Sequence, residues 1–258
     1  MKAAAFDFAH PESLEQAIAL LANDGARAFA GGQSLGPMLN LRLARPRTLA
    51  RVNHLPELGG VTDDAGAVTI GAGVTHSTIA DGGVPDIGGD ILARVAGGIA
   101  YRAVRNRGTI GGSLCHADPA ADWVTVLTAL DAAVLLRGPN GTRALPVADF
   151  ILGPFRTALN PGEILCAVRV PRVGDAAGWG YVKACRKPGD FAHAMAAVLL
   201  SPRTRRIVIG ALGGKPLLLR DGAATIEEAA RALPVADDAV SRQMRLVTLR
   251  RALAEAGA

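Results

Sequence analysis

The chain has 258 residues, half of them hydrophobic and 4% aromatic, with a formal charge of +5 at pH 7. That length accommodates one large domain or two modest ones with ordinary cores, and the apolar content excludes a disordered chain. The arginines are dispersed, at Arg42, Arg45, Arg47 and Arg51, then Arg102, Arg105 and Arg107, then Arg203, Arg205 and Arg206, without interleaved aromatics. Solvated faces and anion contacts are therefore expected rather than a nucleic-acid partner.

The N-terminus lacks the continuous apolar segment of a secretory signal, and no run of about 20 uncharged apolar residues occurs, so no membrane insertion and a cytoplasmic protein are expected. Cys115, Cys166 and Cys185 form no paired spacing that would hold zinc or an iron–sulfur cluster, which predicts reduced thiols in the core.

In chain order, residues 3–8 read as a strand, and Ser13 precedes a helix whose apolar positions Leu14, Ala17, Ile18 and Leu21 recur at helical spacing. A strand over Arg27–Ala30 runs into Gly31-Gly32, followed by a helical turn over Leu35–Leu43 and a strand over Thr48–Val52. This is a small α/β unit with a glycine loop at a strand's end, and residues 1–56 are assigned to it.

A second unit, residues 57–175, begins with a strand at Ala67–Gly71 and a helix start at Val74–Ile79. Ile91–Val104 reads as a helix broken or loosened at Gly97-Gly98. Trp123–Leu130 reads as a buried helix, and Ala132–Arg137 and Thr142–Leu145 as strands joined by the turn Gly138-Pro139-Asn140-Gly141. A further strand is predicted at Glu163–Val170. Composition shifts near Val173–Gly178, and residues 178–258 are assigned to a small C-terminal α+β domain. It has three antiparallel strands, at Gly180–Arg186, Ala194–Leu200 and Arg206–Leu212, and helices at Thr225–Ala232 and Asp238–Ala256. No internal repeat or low-complexity segment is found.

The informative features are two loops, Ala30-Gly31-Gly32-Gln33-Ser34-Leu35 and Thr109-Ile110-Gly111-Gly112-Ser113-Leu114. Successive backbone amides that only glycine lets approach closely suit a diphosphate. Neither loop is a GxGxxG or a GxxxxGK[ST] motif, and a Gly-Gly pair alone is more often a plain turn.

Taken together with their surroundings, these loops resemble a known family. The stretches are Ala30–Pro46, Ile99–Trp123, Asn160–Pro171 and Tyr181–Ala194, and they resemble the FAD-binding (medium) subunit of the xanthine dehydrogenase and carbon monoxide dehydrogenase group of molybdenum hydroxylases. The likeness implies an α+β fold: a two-subdomain FAD-binding fold of the vanillyl-alcohol-oxidase (PCMH) type plus the small C-terminal domain. It further implies a dimer of heterotrimers with a large molybdopterin-binding subunit and a small subunit carrying two [2Fe-2S] clusters. The molybdenum cofactor and the substrate site would lie on partner chains. This chain would hold one FAD and pass electrons to an external acceptor: NAD, oxygen, a quinone or a small carrier.

Residue by residue, the resemblance implies cofactor contacts from Arg27, Ala30, Gly31, Gly32, Gln33, Ser34 and Leu35 on the first loop, and from Ala100. Thr109, Ile110, Gly111, Gly112 and Ser113 would close from the second loop. His116, Asp118, Asp122 and Leu165 would also touch the cofactor, and Lys183 would approach the flavin ring. Plainer readings stand beside these: Asp118 as a helix cap, Asp122 as a helix-dipole partner, His116 as a loop residue, Lys183 as a surface charge. Phe191 would be a core aromatic or a cover for the isoalloxazine. Tyr101 stands where many relatives have histidine, Cys115 replaces a small residue, and the chain ends soon after Leu253, which implies a trimmed C-terminal domain. Two other functions remain: a self-contained FAD oxidase using His54, His76 or His193, and a non-catalytic assembly or maturation protein.

Overall fold

The computed structural model describes residues 2–174, 176–202, 204–234 and 238–258. Arg203, and Asp175 at the expected end of the second domain, lie outside the described residues.

The chain opens with β1 (Asp7–Ala9), α1 (Leu14–Leu21), β2 (Ala26–Phe29), α2 (Leu35–Asn40) and β3 (Thr48–Arg51). Ser13 caps α1 by accepting from the Gln16 amide, the use its position predicts. The strands form a parallel sheet in the order β1-β3-β2, so both glycine-loop flanks, β2 and α2, belong to one βαβ-like layer. Leu14, Ala17, Ile18, Val52, Leu55 and Leu58 bury its helical face.

Next come β4 (Val61–Asp63), β5 (Ala67–Gly71), α3 (His76–Ala80), α4 (Ile91–Gly97), α5 (Arg102–Arg105), α6 (Ile110–His116) and α7 (Asp122–Ala129). They are followed by β6 (Ala133–Gly138), β7 (Gly141–Pro146), α8 (Val147–Phe150), a ribbon of β8 (Ile151–Gly153) and β9 (Arg156–Thr157), and β10 (Ile164–Pro171). The larger sheet runs β4-β5-β10-β6-β7 and is antiparallel throughout. The segment expected to break or loosen at Gly97-Gly98 does break there: α4 ends at Gly97 and α5 starts at Arg102, and between them Ala100 takes a left-handed φ of 44°, a conformation no helix can contain.

The last part holds β11 (Gly178–Ala184), β12 (Ala194–Leu200), β13 (Arg205–Gly210), β14 (Leu217–Arg220), α9 (Ile226–Ala232) and α10 (Ala239–Glu255). Its antiparallel sheet has four strands, β11-β12-β13-β14, not the three expected. The fourth, Leu217–Arg220, is a four-residue, half-buried edge whose leucines pack on both faces; its shortness leaves no periodicity to read. Thr225 and Asp238 cap the two helices through the amides of Glu228 and Ser241.

This sheet is covered on both faces. Ala196, Val198, Ile207 and Ile209 face α9 and α10 in one core, while Ala197 and Val208 join the central core with Trp123 and Val126 of α7. The near-continuous apolar run of β12 follows from that double burial. All eight residues of α7 are buried, as an apolar-all-round helix held between two sheets must be. The helix thereby carries its N-terminal Asp122 to where the middle and last parts meet.

Candidate functional site

The first glycine loop leaves β2 at Phe29 and enters α2 at Leu35. Gly32 has φ +71°, and a Cβ there would lie 2.6 Å from the Phe29 ring. At Gly31 the limit is approach: a Cβ would stand 2.0 Å from the carbonyl oxygen of Arg107 and 2.9 Å from the Gly108 Cα. The two loop regions therefore touch backbone to backbone at this point. Among the described residues, the amides of Gly31, Gly32, Gln33 and Ser34 find no protein acceptor. Ser34 sits at the helix N-cap without a side-chain cap bond. Successive unpaired amides at a glycine turn form an anion-binding concavity, and exposed Arg27 on β2 adds a positive charge nearby.

The second loop is built differently. Ile110 and Gly111 donate to the carbonyls of Val74 and Ala72, and Ser113 donates to that of Thr109. The Gly112 amide goes to the Thr109 hydroxyl, 3.0 Å away. Thr109 is thus a helix cap, and Ile110 is fully buried in the central core. Gly111 packs on the turn after β5, where a Cβ would fall 2.4 Å from the Ala72 Cβ. Gly112 and Ser113 remain half-buried, and a Cβ on Gly112 would come within 3.9 Å of Ala30. The loops adjoin, but the expectation that each offers free amides holds for the first alone. In the second, only Gly112 and Ser113 face outward.

At the far end of α6, His116 packs on Phe155, with ring centroids 5.1 Å apart. Burial lowers its pKa, the nearby Asp118 opposes this, and Arg27 adds to it; Arg27, His116 and Asp118 therefore share one electrostatic neighbourhood. Asp118 accepts from the Ala120 amide at 2.9 Å. It closes a turn ahead of α7 and does not cap that helix, whose N-cap is Ala121. Leu165 is 3% exposed within the central core, at a β-bulge with the half-buried Cys166. Its side chain packs in the same core as Ile110 and Leu114 of the second loop.

Asp122 and Lys183 form the electrostatic centre. The Lys183 ammonium donates to Asp122 Oδ1 at 2.8 Å and to the Gly98 carbonyl at 2.9 Å. The Tyr181 hydroxyl donates to the same Asp122 oxygen at 2.8 Å. The side chains of Lys183 and Asp122 are only 13% and 11% exposed, so Lys183 is no solvated surface charge, and Asp122 does more than complement the helix dipole. Burial, then the Asp122 carboxylate, raises the Tyr181 phenol well above its ordinary value and keeps it a donor.

Sequence reasoning missed Tyr181, two positions before Lys183 on the same strand face, and three supporting residues. Alternation along a strand supplied a signal for the first. The Trp123 indole donates to His76 Nδ1 at 3.1 Å, and burial with the neighbouring Arg105 charge brings His76 down to about 4. His76 also donates its amide to the Gly108 carbonyl, so it braces the approach to the second loop. Arg105 grips the Ile99 and Ala100 carbonyls at 3.0 and 2.8 Å.

Of the other expectations, Phe191 is 63% exposed and is no core aromatic. The cysteines are not core thiols: Cys115 is exposed, and Cys166 and Cys185 are half-buried. His54 pairs with the Pro11 carbonyl and His193 is exposed, so the three histidines considered as bases do not converge. Among the described residues, no group of three His, Cys, Asp or Glu side chains is placed to hold a metal ion.

A glycine turn with four unpaired amides suits a diphosphate, and a nearly buried, ion-paired lysine on β11 suits a polarisable ring. Residues 4–173 match the family described as the FAD binding domain in molybdopterin dehydrogenase, which sets the class of protein. The carbon monoxide dehydrogenase medium chain of Hydrogenophaga pseudoflava is 39% identical over 197 residues, covering 76% of this chain and 69% of the relative. Subunit alpha of the 6-hydroxypseudooxynicotine dehydrogenase complex of Paenarthrobacter nicotinovorans is 36% identical, covering 85% and 76%. A chain of quinoline 2-oxidoreductase from Pseudomonas putida 86 superposes with a TM-score of 0.90 at 32% identity, over 99% of this chain and 98% of that one. The chain belongs to the FAD-binding medium subunits of the carbon monoxide dehydrogenase and xanthine dehydrogenase family of molybdenum hydroxylases.

Proposed function

We propose that this chain holds one FAD and passes electrons from the [2Fe-2S] clusters of a small partner subunit to an external acceptor, in a complex whose large molybdopterin-binding subunit holds the substrate. The observation that carries the reading is the row of unpaired amides at Gly31–Ser34, set against the Arg107–Gly108 backbone. In this arrangement Gly31 to Ser34 bind the diphosphate, Arg27 offsets its charge, and Gly112 and Ser113 close from the second part of the chain. Lys183, held by Asp122 and the Gly98 carbonyl, lies at the ring end, so residues 1–56 and 57–175 clasp the cofactor and residues 178–258 contribute the lysine. FAD, once bound, supplies a centre that accepts electrons singly and releases them singly or in pairs.

The scattered histidines support a substrate site on another chain. Relatives named for carbon monoxide, 6-hydroxypseudooxynicotine and quinoline share this fold, which also fits a subunit that does not choose the substrate. The expected assembly is a dimer of heterotrimers in the cytoplasm; among the described residues no helix is long and apolar enough to cross a membrane. The test is purification of the chain co-expressed with its large and small partners. One FAD per copy of this chain is expected, bleached when the reduced small subunit is present. A colourless complex that takes up no added FAD overturns the proposal.

A further inference from the structure

Three successive carbonyls between α4 and α5 are held by cationic side chains. Lys183 takes that of Gly98 at 2.9 Å, and Arg105 takes those of Ile99 and Ala100 at 3.0 and 2.8 Å through one nitrogen. The middle of this turn is strained: Ala100 has φ 44°, a region alanine enters only when its surroundings impose it. The backbone of Gly189 closes the other side, since a Cβ there would stand 2.7 Å from the Ala100 carbonyl oxygen.

A carbonyl and the amide that follows it point in opposite directions across a planar peptide. With the Ile99 and Ala100 carbonyls drawn toward Arg105, the amides of Ala100 and Tyr101 face away from it. Among the described residues these two amides have no protein acceptor. Arg105 meanwhile leaves its Nε buried without a partner, a cost that stability alone would not select.

We infer that Arg105 is a positioning residue for the cofactor, holding Ala100 in its left-handed conformation so that the Ala100 and Tyr101 amides are set before FAD arrives. The inference rests on FAD being bound by this chain. Preorganisation of this kind strengthens binding by removing the cost of ordering the turn at the moment of association.

The test uses the complex with its partner subunits, stripped of flavin and titrated with FAD while flavin fluorescence is followed. Arg105→Gln is expected to weaken FAD binding about tenfold, the equivalent of about 1.4 kcal/mol. Adding Ala100→Gly to Arg105→Gln is expected to restore affinity to within about twofold, because glycine adopts the left-handed turn unaided. Should the glutamine variant fail to fold, Arg105→Lys with and without Ala100→Gly carries the same comparison. If the unmodified complex takes up no FAD, the functional reading falls and this inference with it. If the unmodified complex binds and Arg105→Gln binds equally, only the inference falls. Weakened binding that Ala100→Gly does not rescue also overturns it, since Arg105 would then act on the fold at large.

Discussion

At residues 31–34, four successive amides meet no protein acceptor among the described residues; at residues 110–113, every amide is already bonded, to Val74, Ala72, the Thr109 hydroxyl and the Thr109 carbonyl. Both segments are written as two glycines followed closely by a serine. In the first, the glycines open a left-handed turn and let another backbone approach. In the second, they let a helix start press on the turn after β5. The pattern reports that side chains are missing and leaves open whether a ligand or the protein itself takes the space.

The sharpest way to break this contrast is Gly111→Val, which puts a side chain where even a Cβ would be 2.4 Å from Ala72. Overpacking of this severity is expected to cost about 3 kcal/mol and to lower Tm by the order of 10 °C. An unchanged Tm would remove the packing role of the second loop.

The brace behind that loop predicts a pH dependence. His76 is held at about 4, below its ordinary 6.5, so between these values the unfolded chain binds a proton that the folded chain does not. Stability is fully present above about pH 6.5 and is lost as pH falls toward 4, by about 2 kcal/mol between pH 7 and 5. Urea unfolding of His76→Gln beside the unmodified protein checks this. Equal slopes with pH in both would show that His76 does not titrate as argued.

In the first loop a substitution is expected to separate binding from folding. Gly32→Ala meets a left-handed φ and the movable Phe29 ring, a cost of about 1 kcal/mol. Tm is expected to fall by about 2–4 °C while FAD is lost from the purified complex. Full flavin content in this variant would mean that the turn is not the diphosphate site.

The smallest expected effect concerns the ring end. Lys183→Met leaves Asp122 with only the Tyr181 donor on its shared oxygen and makes the site more negative. FAD should remain bound, with its reduction potential lowered by tens of millivolts. A potential that stays put or rises would count against the placement of Lys183.

Much of the fold was legible from local chemistry. Ser13, Thr225 and Asp238 announce helix starts by side-chain capping, and Gly138-Pro139-Asn140-Gly141 announces the hairpin between β6 and β7. The strand at Val61–Asp63 and the edge strand at Leu217–Arg220 were missed because they are short and only partly buried. Their existence depends on a neighbour's open edge, which local periodicity does not record.

By itself the sequence determined the order of most elements, both glycine turns and, through the length of its motifs, the family. Only the tertiary structure decided which amides stay free, that Lys183 finds Asp122 across 61 positions of chain, and that Arg105 holds Ala100 in a strained turn. Turns and caps are set by neighbours a few residues away. Free donors and buried ion pairs depend on which distant groups arrive once two sheets close on α7.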